Sequence, residues 1–282
     1  MELIKKRIRS LKFIINFVFV ATTVLWFLFV FSTKHSALYE GAVFQYLLKP
    51  FLIGMTLLPI LGGILGVYRS IGWGGWKSNM GRSLVAVSLG MFGWAGGMIF
   101  WNYYLFFLNV EVPYPSIADF LYVMIWPFWT YAMISLFKVT GVKYGFKKVG
   151  GKIIAFIVSI IVLLLSYYLL FEVARQGEVD LTGDFSSNLL AILYPLGDIS
   201  ILLTSVLVFS LSYNFLGGLY KKPILILLSG FVLNFITDII FVFTTTTETY
   251  FNGHIVDMFY VLMLFTVSVG ISKMDYTLLN QK

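Results

Sequence analysis

The chain contains no cysteine, and only 12% of its 282 residues are charged. The first absence removes disulfides, thiolate metal sites and cysteine nucleophiles. The second removes a water-facing surface, because a soluble chain carries about 25% charged residues. Histidine is nearly absent too. His35 and His254 lie far apart, which leaves no His-rich metal centre and no HExxH zinc helix. The GxSxG elbow, the P-loop and the GxGxxG fingerprint are missing as well. The last apolar segment holds no lysine midway that could carry a retinal Schiff base; its one lysine, Lys273, stands at the end.

What the chain has in abundance is apolar sequence, with 59% of residues hydrophobic. At about 20 residues per crossing, the runs predict an all-α, polytopic integral membrane protein. Eight helices are expected, at 11–32, 42–67, 83–108, 118–138, 153–172, 188–212, 223–246 and 255–273. The first follows Lys5, Lys6, Arg7, Arg9 and Lys12. It is too long for a signal peptide and has no small-residue cleavage site, so it reads as an uncleaved anchor.

The net charge of +7 is a topology signal and not a nucleic-acid footprint. Arg69, Lys77 and Arg82 follow the second segment. Lys138, Lys143, Lys147, Lys148 and Lys152 follow the fourth, and Lys221 and Lys222 the sixth. The alternate loops are acidic or neutral, with Glu111, then Glu172, Glu178, Asp180 and Asp184, then Glu248. The positive-inside rule therefore places both termini in the cytoplasm of a multi-pass cell-membrane protein. The connections leave no room for a soluble domain, so 1–282 reads as one transmembrane domain in contact with the bilayer.

Helices three and four (FWNYYLFFLNVEVPYPSIADFLYVMIWPFW) echo helices seven and eight (ITDIIFVFTTTTETYFNGHIVDMFYVLMLF). Each stretch has a polar residue late in the outgoing helix, then a short loop. An aspartate opens each return, ADFLYV against VDMFYV. Two halves, 11–138 and 153–273, inserted in parallel around an axis along the membrane normal, would produce this pattern.

Against this background a carboxylate is costly, about 2.5–3.5 kcal/mol at mid-membrane on insertion scales. Asp119 and Asp257 open helices four and eight, where they also suit the helix dipole. Asp198 falls near mid-membrane, beside Tyr194, Pro195 and Gly197, with the proline and glycine expected to loosen the helix. Asn234 and Asp238 are four apart and share a face. Asn102 takes the matching place in helix three. Lys49, the basic residue inside a span, needs a partner there, with Asp198 the first expectation and Asp238 the second. A pocket open to the outside, lined by Lys49, Asn102, Asp119, Tyr194, Asp198, Asn234, Asp238 and Asp257, is the candidate site. A purely structural Lys–Asp pair is the alternative. His254, Asp257 and Asp119 form a weaker candidate metal set. Gly93-x-x-x-Gly97 has the small-residue spacing of helix–helix association and would suit a second copy of the chain. The identity of any cofactor is not legible in the sequence.

The segments VEVPYPSIADFLYVMIWPF, YPLGD and TYFNGHIVDMFYV together resemble a polytopic prokaryotic membrane region. That region occurs alone or ahead of diguanylate cyclase, cyclic-di-nucleotide phosphodiesterase or histidine kinase domains. The resemblance implies a sensory input module whose signature here is Pro115, Ser116, Asp119, Asp198 and Asp257. No output domain follows the eighth segment, so a signal would pass to a separate cytoplasmic or membrane partner. Sequence therefore favours a sensor of an extracytoplasmic ligand or ion. A small cation- or proton-coupled transporter or channel is the rival, and an intramembrane enzyme built on an aspartate dyad is the third reading.

Overall fold

The computed structural model describes residues 2–35, 40–139, 149–178, 181–212 and 220–277, and the described residues contain helices and turns but no strand. Among the described residues, eight helices are long and apolar enough to cross a membrane. They are α1 (Lys6–Ser32), α2 (Phe44–Gly72), α3 (Asn79–Leu108), α4 (Ile117–Val139), α5 (Val149–Val173), α6 (Phe185–Ser210), α7 (Lys221–Thr246) and α8 (Ile255–Lys273). Helix is what the solvent requires, since hydrocarbon offers no partner for a free backbone N–H or C=O. Where α3 begins, at Asn79, polar chemistry overrides hydropathy. Ser78 is extended and its side chain accepts from Gly81 N at 2.9 Å, so the helix starts before the apolar run.

Six of the helices close into a ring, with neighbours α2–α3, α3–α4, α4–α6, α6–α7, α7–α8 and α8–α2. The other two sit outside it, α1 against α2 and α8, and α5 against α6 and α7. Their outer faces remain bare: Phe13 is 72% exposed on α1 and Phe156 is 68% exposed on α5. Those faces suit lipid tails. Inside the ring, lipid supplies no hydrophobic drive, so close packing and hydrogen bonds must hold the helices.

Toward the Arg69 end the interior is solid. Met91, Trp129, Met133, Phe231 and Leu264 are fully buried there. Trp129 packs on Phe231 with centroids 4.8 Å apart and donates from Nε1 to the Val87 carbonyl at 3.1 Å. Gly93 and Gly97 face α4, against the Leu121 carbonyl and the Tyr122 ring. The spacing that suited a second copy is thus used inside the chain.

A polar latch closes this end. Arg69, nearly buried, pairs with Asp275 at 3.0 Å and donates to the Ser272 carbonyl at 2.6 Å. Trp73 Nε1 donates to the Met274 carbonyl at 3.2 Å, and the Tyr220 hydroxyl to the Asp275 carbonyl at 2.6 Å. Burial opposes ionisation of Asp275. Hydrogen bonds from Thr277 and the nearby Arg69 guanidinium overcome it and hold the carboxyl below its ordinary range.

A carboxyl so lowered adds stability above its unfolded value, near 3.9, and loses it as pH falls through the folded value. In detergent, Asp275→Asn should therefore lower the unfolding midpoint at neutral pH. The difference from wild type should fade below about pH 4. Arg69→Met should cost about 1–3 kcal/mol by the same unfolding assay.

Candidate functional site

At the other end the ring is hollow. A cavity of about 800 Å³ is lined by all six ring helices and by the connections after α3, α5 and α7. Asp119, Asp198, Asp238 and Asp257 all line it, as do Tyr194 and Asn234. The helix starts explain two of these acids. Asp119 closes a capping box with Ser116, accepting from its N and Oγ, both at 2.8 Å. Asp257 accepts from Gly253 N at 2.6 Å, and Gly253 has the positive φ of 90° that favours glycine. The capping role and the place in the cavity are compatible, because each carboxylate turns a second oxygen to a tyrosine. Tyr194 donates to Asp119 Oδ1 at 2.7 Å, and Tyr250 to Asp257 Oδ1 at 3.0 Å.

The deeper acids belong to α6 and α7. Asp238 accepts from the Tyr260 hydroxyl at 2.6 Å and from Asn234 Nδ2 at 2.5 Å. Asp198 accepts from Trp126 Nε1 at 3.0 Å. The two carboxyls also lie within hydrogen-bonding reach of each other. The approach of Trp126 depends on Gly197, where any side chain would strike the indole.

The helix α6 runs unbroken through Pro195. A proline has no N–H to give, so the carbonyl four residues earlier, on Ala191, loses its helical donor. Arg175 takes that place, donating from Nη2 to the Ala191 carbonyl at 3.0 Å. Arg175 lines the cavity and feels both Tyr114 and Asp198, while burial lowers its pKa from the ordinary arginine value. Burial, and then the charge of Asp257, push the Tyr250 phenol well above its usual range, which keeps it a donor.

Three expectations change. Lys49 pairs with neither aspartate: its ammonium lies over the rings of Phe44 and Phe106, 5.4 and 5.3 Å from their centroids. Aromatic faces and snorkelling let a lysine near the helix end do without a carboxylate. Asn102 lies outside the cavity lining, and its Nδ2 donates to Thr56 Oγ1 at 2.9 Å. His254 is the N-cap of α8, accepting from Val256 N at 3.4 Å. Among the described residues no three His, Cys, Asp or Glu side chains gather around a metal position, so Asp119, His254 and Asp257 do not form a metal set.

Sequence reasoning also missed the aromatic walls. Trp94 meets Tyr122 and Tyr260, centroids 5.8 and 5.4 Å apart, and Trp126 meets Tyr194 at 4.9 Å. Tyr122 and Tyr260 were within sight, since each stands three residues after its helix-entry aspartate, in ADFLYV and VDMFYV. That spacing puts them one turn deeper on the same face.

Gly197→Val should displace Trp126 and lower the unfolding midpoint of the purified protein, by the equivalent of about 1–3 kcal/mol. Trp126→Phe keeps most of the ring and should cost less. Compared with family models, with curated proteins and with solved structures, the chain matches none.

Proposed function

We propose that this chain is an outward-facing ligand-binding module of a cell membrane, acting as a sensor with both termini in the cytoplasm. The observation that carries this reading is the 800 Å³ cavity, which collects all four intramembrane aspartates and lies at the end away from the Arg69 latch. The positive-inside charge pattern makes the latch end cytoplasmic and the cavity end external. The cavity falls in the size range of small-molecule sites, about 300–1,000 Å³. Below it the ring is filled by Met91, Trp129, Met133, Phe231 and Leu264, which favours a blind pocket over a conducting path. The resemblance of the PYPSIAD, YPLGD and YFNGHIVD stretches to membrane input regions points the same way.

A parallel repeat of two halves agrees with the packing. Exchanging α1–α4 with α5–α8 turns the α2–α3 contact into α6–α7, α3–α4 into α7–α8, and α4–α6 into α8–α2. It also turns the Asn102–Thr56 pair between α3 and α2 into the Asp238–Asp198 pair between α7 and α6. Each half places a polar pair at the same helix junction, neutral in one and acidic in the other. Ligand binding would act on the ring by differing in strength between two arrangements of α6–α8, and a partner would read the cytoplasmic end.

One observation favours a second reading. Two neighbouring carboxyls inside a membrane cavity are also the groups a proton-coupled carrier needs, and an aspartate-dyad enzyme would use the same pair.

Because the chain has no cysteine, single replacements report topology without background. Thr246→Cys, at the cavity mouth, should be labelled by an impermeant maleimide on intact cells, and Lys222→Cys only after lysis. The reverse pattern would overturn the orientation. In proteoliposomes carrying an imposed pH gradient, a sensor should leave internal pH unchanged. Proton movement that Asp238→Asn abolishes would replace the sensor with the carrier.

A further inference from the structure

We infer that the cavity takes an organic cation, an ammonium-type head on an apolar body; this rests on the outward-facing ligand-binding reading above. Charge is the first argument. Four aspartates line the cavity, and Arg175 is the cationic side chain among the described lining residues. The side chains that donate to these carboxylates are neutral: Ser116, Tyr194, Trp126, Tyr260, Asn234 and Tyr250. Among the described residues none of the four makes an ion pair. Against these four acids Arg175 is the single cationic side chain among the described lining residues. A bound cation would supply the missing counter-charge.

The walls say which kind of cation. A bare metal ion needs several oxygen or nitrogen ligands converging on one point, and no such trio occurs among the described residues. The space is also far larger than an ion requires. The same lining carries aromatic side chains, with Trp94 against Tyr122 and Tyr260 and Trp126 against Tyr194. Aromatic faces attract ammonium groups and are the usual frame for quaternary ones. On the α2–α3 side the lining is apolar, with Leu52, Met55 and Met98. The acids of α6 and α7 would face the head, and this wall would face the body. An anion would find fewer donors than it needs, since Tyr194, Tyr250, Tyr260 and Trp126 already donate to carboxylates.

The test uses the cysteine-free background. Val242 lines the cavity one turn outward from Asp238. Val242→Cys is reacted with neutral methyl methanethiosulfonate in phosphatidylglycerol nanodiscs, alone and with three added probes. These are phenyltrimethylammonium, its neutral isostere tert-butylbenzene, and the anion benzenesulfonate. The expected result is protection by phenyltrimethylammonium at concentrations at least about tenfold below those needed for the other two. In the Asp198→Asn and Asp238→Asn backgrounds the protecting concentration should rise about tenfold. The unprotected labelling rate should stay within about twofold, which shows the cavity intact. Equal or better protection by the neutral or anionic probe, or none by any probe while the introduced thiol still labels, overturns the cation and leaves the pocket standing. A Val242→Cys thiol that the reagent does not reach overturns the open pocket itself. Protection by phosphatidylcholine nanodiscs without added probe would support the cation chemistry and name a lipid headgroup as its source.

Discussion

A carboxyl group inside a bilayer must find its hydrogen bonds within the protein, and this constraint organises the ring. The aspartates act as ties between helices. Asp119 on α4 holds Tyr194 on α6, and Asp198 on α6 holds Trp126 on α4, so one junction is laced in both directions. Asp238 on α7 holds Tyr260 on α8, and Asp257 on α8 holds Tyr250 in the connection between them. The two helix pairs that enclose the acids are thus joined by the acids themselves. The tyrosine and tryptophan arms that reach the carboxylates are long, so the acids tie packed neighbours while a hollow stays open between them. Such ties satisfy the buried groups without a counter-ion from the chain.

Hydropathy made the eight spans legible, since length and apolar composition are properties of single segments. The acids were legible for the same reason: each is anomalous where it stands. What sequence did not reveal is partnership, which depends on which helix faces which. Lys49 called for an aspartate by its depth, and instead lies over Phe44 and Phe106, whose rings are abundant and give no local signal. His254, three residues from an acid in sequence, caps a helix in space. Arg175 belongs to an acidic loop and drew no notice, although Pro195 had freed the carbonyl it now serves. The tyrosines of ADFLYV and VDMFYV carried the clearest overlooked signal, because one turn after an acid at a helix start is a position that faces the same space.

The contrast between the two helix junctions is informative. Asn102 meets Thr56 between α3 and α2, and Asp198 lies beside Asp238 between α6 and α7, yet only the second pair borders the cavity. A neutral pair serves packing alone, whereas an acidic pair beside a hollow keeps a strong field in a place of low dielectric. The acids of the site therefore lie on α4, α6, α7 and α8.

The eighth helix reaches both ends of this arrangement. Its first turn places Asp257 and Tyr260 at the hollow, and just past its last turn Met274 and Asp275 meet Trp73, Arg69 and Tyr220. With 19 residues it is a rod about 28 Å long. A tilt of about three degrees about the upper end would carry the lower end roughly 1.5 Å. That displacement is comparable to half the 3.0 Å span of the Arg69–Asp275 contact. One rigid helix thus joins the pocket to a contact that a swing of a few degrees would stretch by half its length.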